Sequence, residues 1–141
     1  MLNDSLNMKG HLTIAINDEV VHEVPNLVVT TGKNFVASRM KDTTDSVMSH
    51  MAIGTGSTAA AAGDTALGSE ADRQALTSTT VTNNEVAYVA TFGAGDGTGA
   101  ITEAGLFNAS SSGTMLCRTV FSVVNKGASD SMTITWTVTV S

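Results

Sequence analysis

Cysteine, proline, tryptophan and tyrosine each occur once in 141 residues, and only 14% of the chain is charged. Each shortage excludes something. A lone Cys117 cannot form an intramolecular disulfide, so the fold must rest on its core, and a chain near this size buries roughly 68–70% of its unfolded surface. Cys117 sits in the apolar run Met-Leu-Cys-Arg-Thr-Val-Phe and reads as a buried small hydrophobe. A nucleophilic thiolate would need an activating base beside it, and the sequence signals none. The low charge excludes a self-repelling, disordered chain. Seven basic against thirteen acidic residues give a net charge of −6. That balance disfavours nucleic acid, whose backbone is bound by Lys and Arg displacing counterions, and it disfavours an anionic membrane surface. No apolar run approaches the ~20 residues that span a bilayer. Met1 to Gly10 lacks the apolar segment of a signal peptide, so folding in a reducing cytoplasm is expected. Aromatic residues are only 4% and occur singly, which leaves no stacking platform for sugars or single strands.

The residues that carry chemistry are equally sparse. His11, His22 and His50 form no H-x-x-x-H or H-E-x-x-H spacing and read as ordinary histidines. A sandwich could still gather them, or a trimer axis could place one on a metal. The serines lack a G-x-S-x-G context. Asp42, Asp45, Asp64 and Asp96 stand alone in loops, without the dense spacing of a calcium loop; a weak calcium site at Asp96 is the most they allow. The G-x-G fragments in Gly93 to Gly99 precede a strand rather than a helix, so they read as a thin loop and not a dinucleotide site. The expectation is a protein with no catalytic, cofactor or metal site, and not an enzyme.

What the sequence does contain is alternation. His11 to Asn17 reads as a half-buried strand with Leu12, Ile14 and Ile16 on one face. Asn17-Asp18 is a turn, and Glu19 to Val24 returns with Val20 and Val24 on one face. Pro25 marks an edge or a bulge. A short helix is predicted from Thr31, as N-cap, to about Lys41 or Asp42. Val47 to Ile53 reads as a strand, Gly54 to Gly68 as a small-residue loop lying over the core, and Glu70 to Leu76 is ambiguous. Thr77 to Phe92 is a hairpin turning at Asn83-Asn84. Ile101 to Asn108 and Thr114 to Val124 are strands. The strongest signal is the end: Met132, Ile134, Trp136, Val138 and Val140 share one face, and Thr133, Thr135, Thr137 and Thr139 share the other. Eight or nine short strands and one helix predict an all-β antiparallel sandwich, jelly-roll-like or immunoglobulin-like. Residues 1–10 are expected to form an arm and residues 11–141 a single domain.

Three segments resemble small structural proteins of tailed bacteriophages, of the decoration, cement or tail-fibre-like kind. They are Asn26-Leu-Val-Val-Thr-Thr-Gly-Lys33 before the helix, Met51-Ala-Ile-Gly-Thr-Gly56 before the alanine-rich loop, and Ile101-Thr-Glu-Ala-Gly-Leu-Phe-Asn108 with its return strand Thr114 to Phe121. The resemblance covers roughly Asn26 to Ser141 and implies a virion protein made in a bacterial cytoplasm. A chain of this size without a fibrous repeat is more similar to a capsid decoration protein, seated where capsomers meet. The E-A-G-L-F segment is similar to fibre-attachment domains, which keeps a tail, collar or baseplate adaptor as the alternative. The implied partners are the major capsid protein, or tail and collar proteins, and further copies of the chain as a dimer or trimer. The expected contact residues are Met1, Leu2 and Met8 of the arm, by strand addition, and Thr133, Thr135, Thr137 and Thr139 of the last strand. The Gly54 to Gly68 loop is a further contact candidate. A carbohydrate-binding module is disfavoured by the scarcity of aromatics.

Overall fold

The structure is a computed structural model that describes residues 5–141. It is an all-β sandwich of two antiparallel five-stranded sheets with one helix. The period-2 segments become the central strands. In β1 (Met8–Ile16) and β10 (Met132–Val140), Leu12 faces Trp136 and Ile14 faces Ile134 across the ladder. All four side chains are fully buried, each stabilising by about 1.5–3 kcal/mol relative to exposure. The first sheet adds β7 (Glu85–Phe92) and β6 (Ser78–Thr82) on one side of β10 and β2 (Glu19–Pro25) outside β1, giving the order β2-β1-β10-β7-β6. The second sheet is β3 (Leu27–Val28), β9 (Met115–Lys126), β8 (Gly99–Phe107), β4 (His50–Gly54) and β5 (Glu70–Ala75), in that order. Met51, Ile53, Ile101, Leu106 and Val124 meet the inner face of the first sheet and close one continuous core. Cys117 lies in that core, where burial pushes its thiol well above its ordinary range.

Turn chemistry fixes the register. Asn17 and Asp18 both take positive φ, 49° and 68°, as a tight two-residue hairpin with the twist of its strands requires. Asn17 also joins this turn to the one before β10. Its Nδ2 donates to Asp130 at 2.9 Å, and the Ser131 N–H donates to its Oδ1 at 3.0 Å.

The structure moves several predicted boundaries. The expected arm of residues 1–10 does not extend to residue 10, because β1 begins at Met8, opposite Val140, and Asn7 and Ser141 exchange backbone hydrogen bonds of 2.6 and 2.8 Å. Met8 packs on the core and is no part of a free arm; Met1 and Leu2 lie outside the described residues. The helix α1 (Thr30–Lys41) has its N-cap at Val29, two residues before the expected Thr31. Thr31 does not cap it, since its hydroxyl donates to the Met115 carbonyl at 2.9 Å and ties the helix to β9 instead. The strand expected from Val47 begins at His50, and Val47 is exposed. A register shift between Ile14 and Ala15 turns Val20 outward, against the expectation that it shares a face with Val24. Pro25 does lie on an edge strand. The ambiguous Glu70 to Leu76 becomes the charged edge strand β5.

Candidate interaction face and the clasp on the opposite sheet

Strand alternation leaves one side chain outward for each one buried. On β10 the outward set is Thr133, Thr135, Thr137 and Thr139, all half-buried because β10 is the middle strand. The register extends each threonine into a row. Ala15, Thr133 and Thr91 form one row, and Thr13, Thr135, Val89 and Ser78 the next. His11, Thr137, Ala87 and Thr80 follow, then Lys9, Thr139, Glu85 and Thr82. The Thr91 and Thr133 hydroxyls lie 3.2 Å apart. On β1, β10, β7 and β6 the charges Lys9 and Glu85 are gathered in the last row, and on the edge strand β2 Glu23 continues the second row beyond Thr13, so the centre of the first two rows is uncharged. Such a surface loses little on being covered, because few charges need desolvating. The four predicted threonines are thus together at the centre of one face, while Met8 points to its other side.

The second sheet is built differently: its outer face is roofed by the strap of residues 55–69, which connects β4 to β5. Beneath the strap lies Glu103, on β8 and fully buried. One carboxylate oxygen accepts the backbone N–H groups of Gly56 at 2.6 Å and Ser69 at 2.7 Å. The other accepts the Gly68 N–H at 2.7 Å and the Arg118 guanidinium at 3.0 and 3.2 Å. Arg118, also buried, reaches on to Asp64 at 2.8 Å and to the Thr58 carbonyl at 3.0 Å. The Thr102 hydroxyl donates to the Gly56 carbonyl at 2.7 Å, and the Thr30 N–H at the helix start donates to the Ala62 carbonyl at 2.8 Å. The Gly-Thr-Gly spelling follows from this approach: a Cβ on Gly56 would overlap the Glu103 carboxylate, and one on Gly54 would overlap the Ser69 carbonyl. Both Glu103 oxygens are engaged by donors. What this arrangement performs is fastening: a carboxylate holds both ends of the strap to the sheet.

Burial alone would raise the Glu103 pKa; the Ser69 and Gly68 N–H groups, Arg118 and the Gly56 N–H outweigh it and hold the carboxyl below its usual 4.5. Asp64 is also lowered, by the Ala61 N–H against partial burial and with help from Arg118. A depressed carboxyl contributes stability that is fully present above the unfolded pKa and is lost as pH falls through the folded one. The melting temperature is therefore expected to fall below about pH 4.5, and to fall less in Glu103→Gln, which has no charge to lose there. Melts of both proteins at pH 7 and pH 3 check this; equal acid sensitivity would detach it from Glu103.

Sequence reasoning missed Glu103, Arg118 and Asp64 as a unit. Two signals were present: a single acid in Ile-Thr-Glu-Ala-Gly-Leu-Phe and a single base in Met-Leu-Cys-Arg-Thr-Val-Phe, each a lone charge inside an apolar strand. The histidines remain apart. His11 is exposed on β1, His22 bonds the Ser122 carbonyl from β2 at 3.0 Å, and His50 on β4 bonds the Ser49 hydroxyl at 2.8 Å. Among the described residues no three His, Cys, Asp or Glu side chains gather as metal ligands, and no helix is long and apolar enough to cross a membrane.

Comparison with family models, with curated proteins and with solved structures finds no match. The three segments Asn26 to Lys33, Met51 to Gly56 and Ile101 to Phe121 are neighbours in space. Leu27 pairs with Arg118, which pairs with Gly105, which pairs with Ala52. They lie on the second sheet, beside the clasp that roofs it.

Proposed function

We propose that the chain is a bacteriophage virion structural protein, a capsid decoration or cement protein that binds the outer shell where capsomers meet. The observation that carries this reading is the outer face of the first sheet, whose centre around Thr133 and Thr135 is uncharged Thr, Ala and Val, with Glu23 at the β2 edge of the Thr135 row. The convergence of the virion-like segments on the opposite sheet supports it, since that sheet packs its inner face against the first. The mechanism is mass action: a ligand that binds only the assembled shell stabilises that shell. Broad contact through short side chains suits a role in which many weak contacts add.

Co-sedimentation of the purified protein with DNA-free phage heads, and separately with tails, tests the reading. Binding to heads is expected. A Thr135→Lys, Thr137→Lys pair on the face should weaken it at least tenfold, because two ammonium groups would be buried without partners. Binding to tails alone would replace cement with the collar or baseplate alternative, and binding to neither would end the virion reading.

A further inference from the structure

Each sheet of an open sandwich has two edges, and exposed edges invite further strands unless guarded. Three of the four edges here are guarded. β2 carries Glu19, Glu23 and Pro25 and is bulged at Val21. β3 is two residues long. β5 carries Glu70, Asp72 and Arg73. The fourth, β6, reads Ser-Thr-Thr-Val-Thr, with no charge and no proline, and all five residues are exposed. Alternate backbone N–H and C=O groups of an edge strand face outward, unpaired by its own sheet. Alongside it runs a groove of about 330 Å³, lined by Phe35, Val47, Met48, Thr79, Val81 and Tyr88. Val81 is 69% exposed and Val47 is 56% exposed. The one charge at the groove, Arg39, is turned to the Asp45 carbonyl at 2.9 Å.

We infer that β6 is the docking edge for β6 of a second copy, paired antiparallel about a two-fold axis at Thr80. Charge selects this occupant and this edge. The chain carries a net −6, so two copies repel wherever their carboxylates meet. At β2 and β5 acid would face acid; at β6 neutral strand faces neutral strand. The pairing is self-complementary, as a two-fold interface must be. Thr80 meets Thr80 of the other copy, Thr79 meets Val81, and Ser78 meets Thr82. The first two are β-branched cross-strand pairs and the third a Ser–Thr hydroxyl pair, both of favourable kinds. Thr79 and Val81 face the groove, so the second copy's Val81 lands beside Thr79 and extends the apolar strip over Val47. The two five-stranded sheets then form one ten-stranded sheet, with both threonine faces on the same side. The inference rests on the edges and not on the virion reading, and its test uses no phage component.

Light scattering on the purified full chain should give twice the 14.4 kDa monomer mass. Thr80→Lys should raise the dissociation constant at least tenfold, since it sets two ammonium groups directly opposite each other, with an unchanged circular-dichroism spectrum. Thr80→Cys should cross-link to a dimer on mild oxidation, because directly opposed residues lie about 4.5–5.5 Å apart, within disulfide reach. Val20→Cys on β2 should not. A monomer at high concentration, a dimer that ignores Thr80→Lys, or failure of Thr80→Cys to cross-link would each overturn the inference. So would a monomer whose β6 is protected only when a different protein is added.

Discussion

Replacing Glu103 with alanine should cost about 3–5 kcal/mol of folding stability, the range for breaking a buried ion pair from one side. The carboxylate is fully buried and is bonded by Gly56, Gly68, Ser69 and Arg118. Its removal leaves three backbone N–H donors without an acceptor and a buried guanidinium with only Asp64 and the Thr58 carbonyl. Each orphaned donor costs about 1–3 kcal/mol if water cannot reach it. Part of that is recovered by the strap lifting away, so proteolysis between Ser57 and Ala62 should accelerate as stability falls. Urea midpoints measure the loss. The double change Glu103→Leu, Arg118→Met should cost less than the sum of its single changes, because it removes both charges together. A Glu103→Ala protein within about 1 kcal/mol of the parent would mean that the clasp contributes no more than a surface pair.

Gly32→Ala should destabilise, although alanine is about 1 kcal/mol better than glycine inside an isolated helix. Gly32 is the buried residue of α1, and a Cβ there would overlap the carbonyl oxygen, carbonyl carbon and Cα of Leu116. These are backbone atoms of β9, so no side chain can rotate aside. The helix would have to lift, weakening the Thr31 hydroxyl bond to Met115 and the Val29 N–H bond to the Leu116 carbonyl at 3.2 Å. Overpacking of this kind costs about 1–3 kcal/mol, which exceeds the propensity gain. A thermal melt decides the sign; a raised melting temperature would show that the helix is free to retreat.

The parts of the fold that were legible in the sequence are those governed by local periodicity. Met132 to Val140 alternates without a break, and its threonine parity correctly marked an outward face. The hairpin at Asn83 was legible because its turn residue takes φ of 53°, which asparagine tolerates. The start of β1 was not, because Lys9-Gly10 carries no apolar signal and its pairing is set by the distant Val138 and Thr139. β5 was ambiguous for a related reason: an edge strand can be charged, so Glu-Ala-Asp-Arg-Gln-Ala shows no alternation. The clasp was hidden most deeply. Glu103 and Arg118 look like interruptions of apolar strands until the register of β8 on β9 puts them on one face and the strap returns over them. A buried charge is affordable only with its partners in place, and those partners come from Gly56, Asp64 and Gly68, remote in sequence.

Both ends of the strap come back to the same carboxylate, Gly56 at one end and Gly68 with Ser69 at the other. The chain between them is therefore a ring closed by a side chain, pinned within its span at Thr58 and Asp64 by Arg118 and at Ala62 by the helix start. Lengthening a closed loop is inexpensive, about 0.6 kcal/mol for each doubling. The alanines at 59 and 60, between the Thr58 and Ala61 attachments, are where this protein can accept foreign sequence and carry it outward while both sheets keep their register.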